Sequence, residues 1–154
     1  LSLVGSEMCI RDSSFLQSRE ADGAMPRPLW ALPPAQFEKH VQHAVQKLAP
    51  EFAVLIQDAL VVVSDLPGPE VVAEGVDPRV GVLIDDLHDE SGEPVANPDA
   101  KPARAGRVFI YQRNIERWAL SATDLDEEIQ EALEQELALT FPHLVLREHP
   151  EEEA

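Results

Sequence analysis

The 154-residue chain carries 29 acidic and 12 basic side chains, which gives a formal net charge of −17 at pH 7. Such a surface repels phosphate backbones and anionic lipid, which excludes nucleic acid and membrane as expected partners. Its length and apolar content suit one packed core, and no stretch approaches the roughly 18 consecutive apolar residues of a membrane helix. A single cysteine excludes an internal disulfide, so we expect one cytoplasmic domain.

The N-terminal segment, residues 1–33, is expected to precede this domain. Its first thirteen residues resemble translated sequencing-adapter sequence and lack the features of a signal peptide, so we interpret them as artefactual. Residues 14–34 are polar and then proline-rich, which leaves little room for regular structure. The predicted organisation is a disordered or artefactual segment at 1–33, a domain at 34–147 and an acidic tail at 148–154.

The first half of the predicted domain begins with a helix. Apolar residues recur at helical spacing between two prolines across residues 34–50, which predicts an amphipathic helix. A short helical turn at 51–57 leads to a continuous β-branched strand at 59–64. A second strand is predicted at 80–84, after a loop broken by prolines. The polar stretch 85–104 is long for a loop in a compact domain, and we interpret it as disordered.

The second half resumes with a strand at 106–111 and a short helix at 114–120. A long helix follows, whose start is signalled by Thr123 or Asp124 as a cap and by Glu127 as the partner of a capping box. The expected architecture is an α+β domain. It has a small mixed sheet of three or four strands, an N-terminal helix, and a long C-terminal helix packed across the sheet.

One acidic residue interrupts the apolar face of the long helix. That face comprises Leu125, Ile129, Ala132, Leu133, Leu137 and Thr140. Glu136 falls on the same stripe, where a carboxylate without partners is costly to bury. Two interpretations stay open: Glu136 reaches water from the edge of the stripe, or it is the remnant of a catalytic general base.

A family resemblance offers a reason for the second interpretation and leaves the first open. Residues 106–142, GRVFIYQRNIERWALSATDLDEEIQEALEQELALTFP, resemble the C-terminal half of the minimal zincin family of bacterial metallopeptidase-like proteins. There, a strand similar to RVFIY precedes a helix similar to RNIER, an acidic helix start and an HExxH motif that ends in Phe-Gly. The resemblance extends back to residue 36 through FEKHVQHAVQKLAPEF, the valine-rich strand and VGVLID.

In the family, the two motif histidines bind zinc from one face of a helix, and the glutamate activates the metal-bound water. Here Gln135 and Leu139 stand in the histidine positions, and Val145 stands about where the family has an acidic ligand. Pro142 replaces a glycine, and Glu136 alone is kept. The resemblance therefore implies a zincin fold without zinc, inactive as a peptidase. We expect Glu136 to face the former cleft and Leu139 to fill it by packing.

Other candidate sites are weaker. His40 and His43 share a helix face without a third ligand, so we interpret them as surface residues. An acidic loop could bind a hard cation, but it lacks the alternating ligands and turn glycine of a calcium loop. Its members are Asp85, Asp86, His88, Asp89 and Glu90.

Three functional hypotheses follow. The first is a non-catalytic binding or scaffold domain for an unidentified protein or peptide. The second is an active metal-dependent peptidase with a rebuilt site, formed by Glu136 with His143 or the acidic loop. The third is an acidic protein-interaction domain unrelated to zincins.

Overall fold

The computed structural model of the protein describes residues 3–95 and 101–145, with side chains from residue 14 onward. In chain order, the helices and strands are α1 (Leu3–Ala24), α2 (Pro34–Lys47), α3 (Pro50–Ala53), β1 (Leu60–Ser64), α4 (Pro69–Ala73), β2 (Val82–His88), β3 (Arg104–Tyr111), α5 (Gln112–Trp118), α6 (Leu125–Thr140) and α7 (Pro142–Val145). Within these ranges, no helix is both long and apolar enough to span a bilayer.

The sheet has the strand order β1-β3-β2. Strand β1 runs parallel to β3, with Leu60 opposite Arg107, and β2 runs antiparallel to β3, with Val82 opposite Ile110. Valines in β1 and the Val-Phe-Ile run of β3 suit this pairing, because β-branched and aromatic side chains pack well on a pleated surface. The predicted small mixed sheet is confirmed, with three strands in the described residues.

Helices α2 and α6 pack against each other and supply much of the core. Phe37, Val41 and Ala44 of α2 are buried, as is Phe141 just beyond α6. The stripe predicted for α6 is buried at Leu125, Ile129, Leu133 and Leu137. Spacings of three and four residues place these leucines and the isoleucine on one helix face, as the amphipathic pattern requires. The predicted α+β class, with its N-terminal helix and long C-terminal helix, is therefore confirmed.

The N-terminal segment differs from the prediction. Little regular structure was expected in residues 14–34, but α1 continues to Ala24, since the prolines begin only afterwards. Asp22 is 2% exposed and forms ion pairs with Arg79 at 3.4 Å and Arg117 at 3.3 Å. The expectation of disorder is wrong for this helical part. The domain boundaries and the artefactual origin of the first thirteen residues stay predictions, and the tail at 148–154 lies outside the described residues.

The polar stretch 85–104 is also more ordered than predicted at both of its ends. Strand β2 continues to His88, and β3 begins at Arg104. Asp85 accepts two hydrogen bonds of 2.9 Å from Arg107, so polar residues pair across the exposed side of the sheet. Beyond β2, the Asp89 carboxylate accepts hydrogen bonds from the chain that follows it. Residues 96–100 lie outside the described residues.

The predicted capping box of α6 does not form. The helix is entered through a 3₁₀ turn at Ala122–Asp124, and Asp124 has helical backbone angles without a capping bond from its side chain. The hydroxyl of Ser121 instead hydrogen-bonds to Thr123 at 2.8 Å and to Asp124 at 3.2 Å. The predicted position of the helix start is correct, but continuous helical winding has replaced the side-chain cap.

Candidate functional site

The five residues Gln135–Leu139 occupy the C-terminal half of α6. Leu137 is fully buried, whereas Gln135 is exposed and Leu139 is 74% exposed. Residues four apart on a helix lie on the same face, so Gln135 and Leu139 form neighbouring parts of one open surface. The expectation that Leu139 fills a cleft by packing is wrong, because two residues beyond buried Leu137 the helix has turned by about 200°.

Glu136 is partly buried beside this open surface. Burial raises the pKa of its carboxyl above the ordinary range, because the charged form is less well solvated there. Among the described residues, no hydrogen bond reaches the carboxylate; Thr140 donates a 2.8 Å bond to the backbone oxygen of Glu136 instead. A carboxyl with a raised pKa is suited to proton transfer. Burial without any catalytic role also raises a pKa, so the shift by itself does not identify Glu136 as catalytic.

The remaining position taken from the resemblance lies in α7. Val145 is partly buried and packs against the hydrophobic core. Together, the four positions present one amide, one carboxylate and two alkyl side chains: Gln135, Glu136, Leu139 and Val145. Zinc in proteins is held by imidazole, thiolate and carboxylate donors, usually three or four together. This donor set does not fit a zinc ion.

His143 lies on the wall of a cleft near the acidic loop. Together with Asp89, Glu90 and Lys101, it lines an open cleft of about 540 Å³ that does not include Glu136. Hydrogen bonds from the Ser91 side chain and from backbone N–H groups lower the pKa of Asp89, so this carboxylate already has partners. Within residues 3–95 and 101–145, no three or more potential metal ligands are arranged to hold an ion. The structure therefore does not assemble the combination proposed for a rebuilt metal site.

A polar cluster joining α2 to α6 was not predicted. Asp126 accepts a 2.7 Å hydrogen bond from Nδ1 of His40, and its other oxygen lies 3.8 Å from Nδ1 of His43 and 3.4 Å from Nζ of Lys47. Burial alone would raise the pKa of Asp126, but the hydrogen bonds and charges of His40 and Lys47 outweigh this and lower it. The i, i+3, i+7 spacing of the three basic groups was the available signal, because it places them on one helix face.

A second polar cluster surrounds Glu116 in α5. Its side chain is fully buried and bonds the Arg27 guanidinium at 2.7, 3.0 and 3.2 Å. The backbone N–H of Leu32 and the amide of Gln112 complete its surroundings at 3.1 and 3.2 Å. In the sequence, the RNIER segment is informative only through the family resemblance. Nothing in the local pattern indicated a partner 89 positions away.

The model of a family described as zincin-like metallopeptidase matches residues 56–143 of this chain. The match covers all three strands together with α5 and α6, and it includes the segment Gln135–Leu139. More than half of the chain therefore lies within the match, in agreement with the resemblance found from the sequence. No curated protein sequence matches the chain.

Proposed function

The chain belongs to the zincin-like metallopeptidase family, and on that premise we propose that it is a catalytically inactive member with a binding or scaffold role. The observation that supports this proposal is the identity of two side chains on α6. An amide at Gln135 and an alkyl group at Leu139 occupy the positions where the family motif has its histidines. A neutral amide is a poor zinc ligand and an alkyl group is none.

Loss of the zinc ligands is compatible with an intact fold because ligand positions and core positions lie on different sides of α6. Leu133 and Leu137 contribute to the core, whereas Gln135 and Leu139 are exposed. Substitutions on an exposed helix face usually change stability by less than about 0.5 kcal/mol. Such a domain keeps its shape and its surface for binding while Glu136 has no metal-bound water to activate.

The proposed partner is a protein or peptide, and the proposed location is the cytoplasm. A net charge of −17 disfavours nucleic acid and anionic membranes. Binding to duplex DNA or to phosphatidylserine vesicles at about 50 mM salt, where electrostatic attraction is strong, would contradict this assignment.

Metal content of purified protein tests the loss of the zinc site. Wild type and the double variant Gln135→His with Leu139→His are stripped with a chelator, incubated with zinc and desalted before elemental analysis. We expect wild type to hold little zinc and the variant to hold measurably more, since two histidines one helical turn apart supply two of the three or four donors that a zinc site needs.

A matched control places the same histidine pair elsewhere on the helix. The control variant combines Glu127→His with Glu131→His and keeps Gln135 and Leu139 unchanged. Its two histidines are exposed and four residues apart, away from Glu136. This control should retain less zinc than the motif variant. Stoichiometric zinc in wild type, or peptide hydrolysis by wild type that is lost in Glu136→Gln, would overturn the proposal.

A further inference from the structure

A shallow apolar groove runs between α2 and the strand β1. It consists of two adjoining cavities of about 230 and 240 Å³. Both cavities share Val41 and Gln42 on α2 and Val61 on β1, while Val63 and Val45 extend the groove in the two directions. The groove therefore follows the strand, with aliphatic side chains along its floor and polar residues of α2 along its rim.

The strand beside this groove is an edge of the sheet. Among the described residues, β1 pairs with β3 alone, and its other side carries no partner strand. Leu60–Ser64 contains neither charge nor proline, and Leu60 is 62% exposed. Proteins usually protect such edges with charged side chains, proline or a covering element, because the free N–H and C=O groups can pair with another chain.

Acidic side chains lie on the rim of the groove and beyond both ends of β1. Glu38 is exposed and lines one cavity. Asp58 lies before β1 and Asp65 after it, and both side chains are 67% exposed. Each forms an ion pair, Asp58 with Arg104 at 3.4 Å and Asp65 with Arg113 at 3.6 Å. The occupant that complements this groove is apolar in the middle and basic at its ends.

The same charges argue against a second copy of this chain. Two β1 edges paired antiparallel about a twofold axis would bring Asp58 of each copy towards Asp65 of the other. Like charges facing each other across strands are destabilising, and the net charge of −17 adds to the repulsion.

We propose that the groove between α2 and β1 binds an extended peptide segment with apolar side chains at alternate positions and lysine or arginine at its ends. The peptide adds to the sheet beside β1, where backbone hydrogen bonds supply affinity and alternate side chains contact Val41, Val45 and Val61. This inference rests on the proposed binding role and names its partner. The groove lies at the opposite edge of the sheet from β2 and does not involve Glu136.

Two synthetic peptides test the proposal on the full chain. One has the sequence Lys-Val-Thr-Val-Thr-Val-Lys, and the other replaces both lysines with glutamate. Each is titrated into isotope-labelled protein, and backbone amide shifts are followed by NMR. We expect the basic peptide to bind about tenfold more tightly than the acidic one at low salt, with the largest shifts in residues 60–64 and along α2.

Variants separate a local charge effect from a general one. Glu38→Lys should weaken binding of the basic peptide by about threefold or more, because it removes an attractive charge and adds a repulsive one. Glu74→Lys makes the same change in net charge at an exposed position outside the groove and should leave the affinity nearly unchanged.

Three results would overturn the proposal: no shifts with the basic peptide, equal affinity for both peptides, or shifts in β1 that follow protein concentration and so indicate self-association. None of these results depends on zinc content or peptide hydrolysis. Zinc in the wild-type protein would contradict the proposed loss of the metal site. It would not affect the peptide-binding proposal, which the NMR titration tests separately.

Discussion

Two glutamates of this chain lie in contrasting surroundings. Glu116 is fully buried, yet Arg27, the Leu32 N–H and Gln112 all donate to its carboxylate. Glu136 is only partly buried, and in the described part of the chain its carboxylate receives no hydrogen bond. A carboxylate whose lone pairs are all occupied contributes to a fixed structure, whereas one that is partly desolvated and unpaired is poised for a ligand or a proton.

The comparison shows that burial alone does not identify a functional carboxylate. Glu116 is the more deeply buried of the two, but its bonds hold Arg27 and Leu32 against α5. Glu136, which the sequence resemblance places at the family's general base, has a pKa that burial raises. The variants below test this division of roles, beginning with the largest expected effect.

Removing the cation that pairs with buried Glu116 should have the largest effect. Arg27→Met leaves the Glu116 carboxylate buried without its charged partner and should lower the free energy of unfolding by about 3 kcal/mol or more. Urea unfolding at pH 7 measures the loss. Arg104→Met, which breaks the exposed pair with Asp58, should cost less than about 1 kcal/mol. Equal losses for the two variants would mean that Glu116 is not held as described.

Truncating the two leucines that flank Ala138 tests which side of α6 faces the core. Leu137→Ala should lower the free energy of unfolding by about 2 to 4 kcal/mol, because it opens a cavity in the core. Leu139→Ala should change it by less than about 0.5 kcal/mol, since that side chain is 74% exposed. Thermal or urea unfolding of both variants measures the difference. A large loss for Leu139→Ala would restore the expectation that this residue fills a cleft.

The cluster around Asp126 should show a smaller effect that depends on pH. Its lowered pKa means that the folded state favours the charged form, so the stabilisation is present above the ordinary pKa of an aspartate and lost as the pH falls through the lowered value. Asp126→Asn should be destabilised by about 1 kcal/mol at pH 7, with the difference shrinking below about pH 4. Glu127→Gln is the neighbouring control. A loss independent of pH would exclude an electrostatic origin.

Neutralising Glu136 should give the smallest change in stability, and the change should be a stabilisation, opposite in sign to that of Asp126→Asn. Its raised pKa means that folding favours the protonated form, so stability falls as the pH rises through and above the ordinary range of a glutamate. Glu136→Gln should therefore unfold at a higher temperature than wild type at pH 7, and at about the same temperature near pH 4. Glu134→Gln on the same helix should show less of this trend. A lower melting temperature at pH 7 would reveal a stabilising partner for the Glu136 carboxylate.

Local patterns predicted most of the regular elements because their signals are local. Helical spacing and flanking prolines identified α2, and a β-branched run identified β1. The errors occurred where distant residues decide the outcome. Polar residues of 85–104 extend two strands because Asp85 pairs with Arg107 on the exposed side of the sheet. The prolines of the N-terminal segment begin at Pro26, so they exclude helix only after α1 has ended at Ala24.

The sequence by itself determined the family, the fold class and the chemical identity of Gln135, Glu136 and Leu139, since these follow from patterns and residue types along the chain. Only the tertiary structure decided which carboxylates have partners, because Arg27 and Glu116, or His40 and Asp126, meet through folding across 89 and 86 positions. It also decided that β1 lies at an edge of the sheet formed by the described strands. Strand order depends on how the chain crosses from β1 to β3, which no pattern within a single strand records.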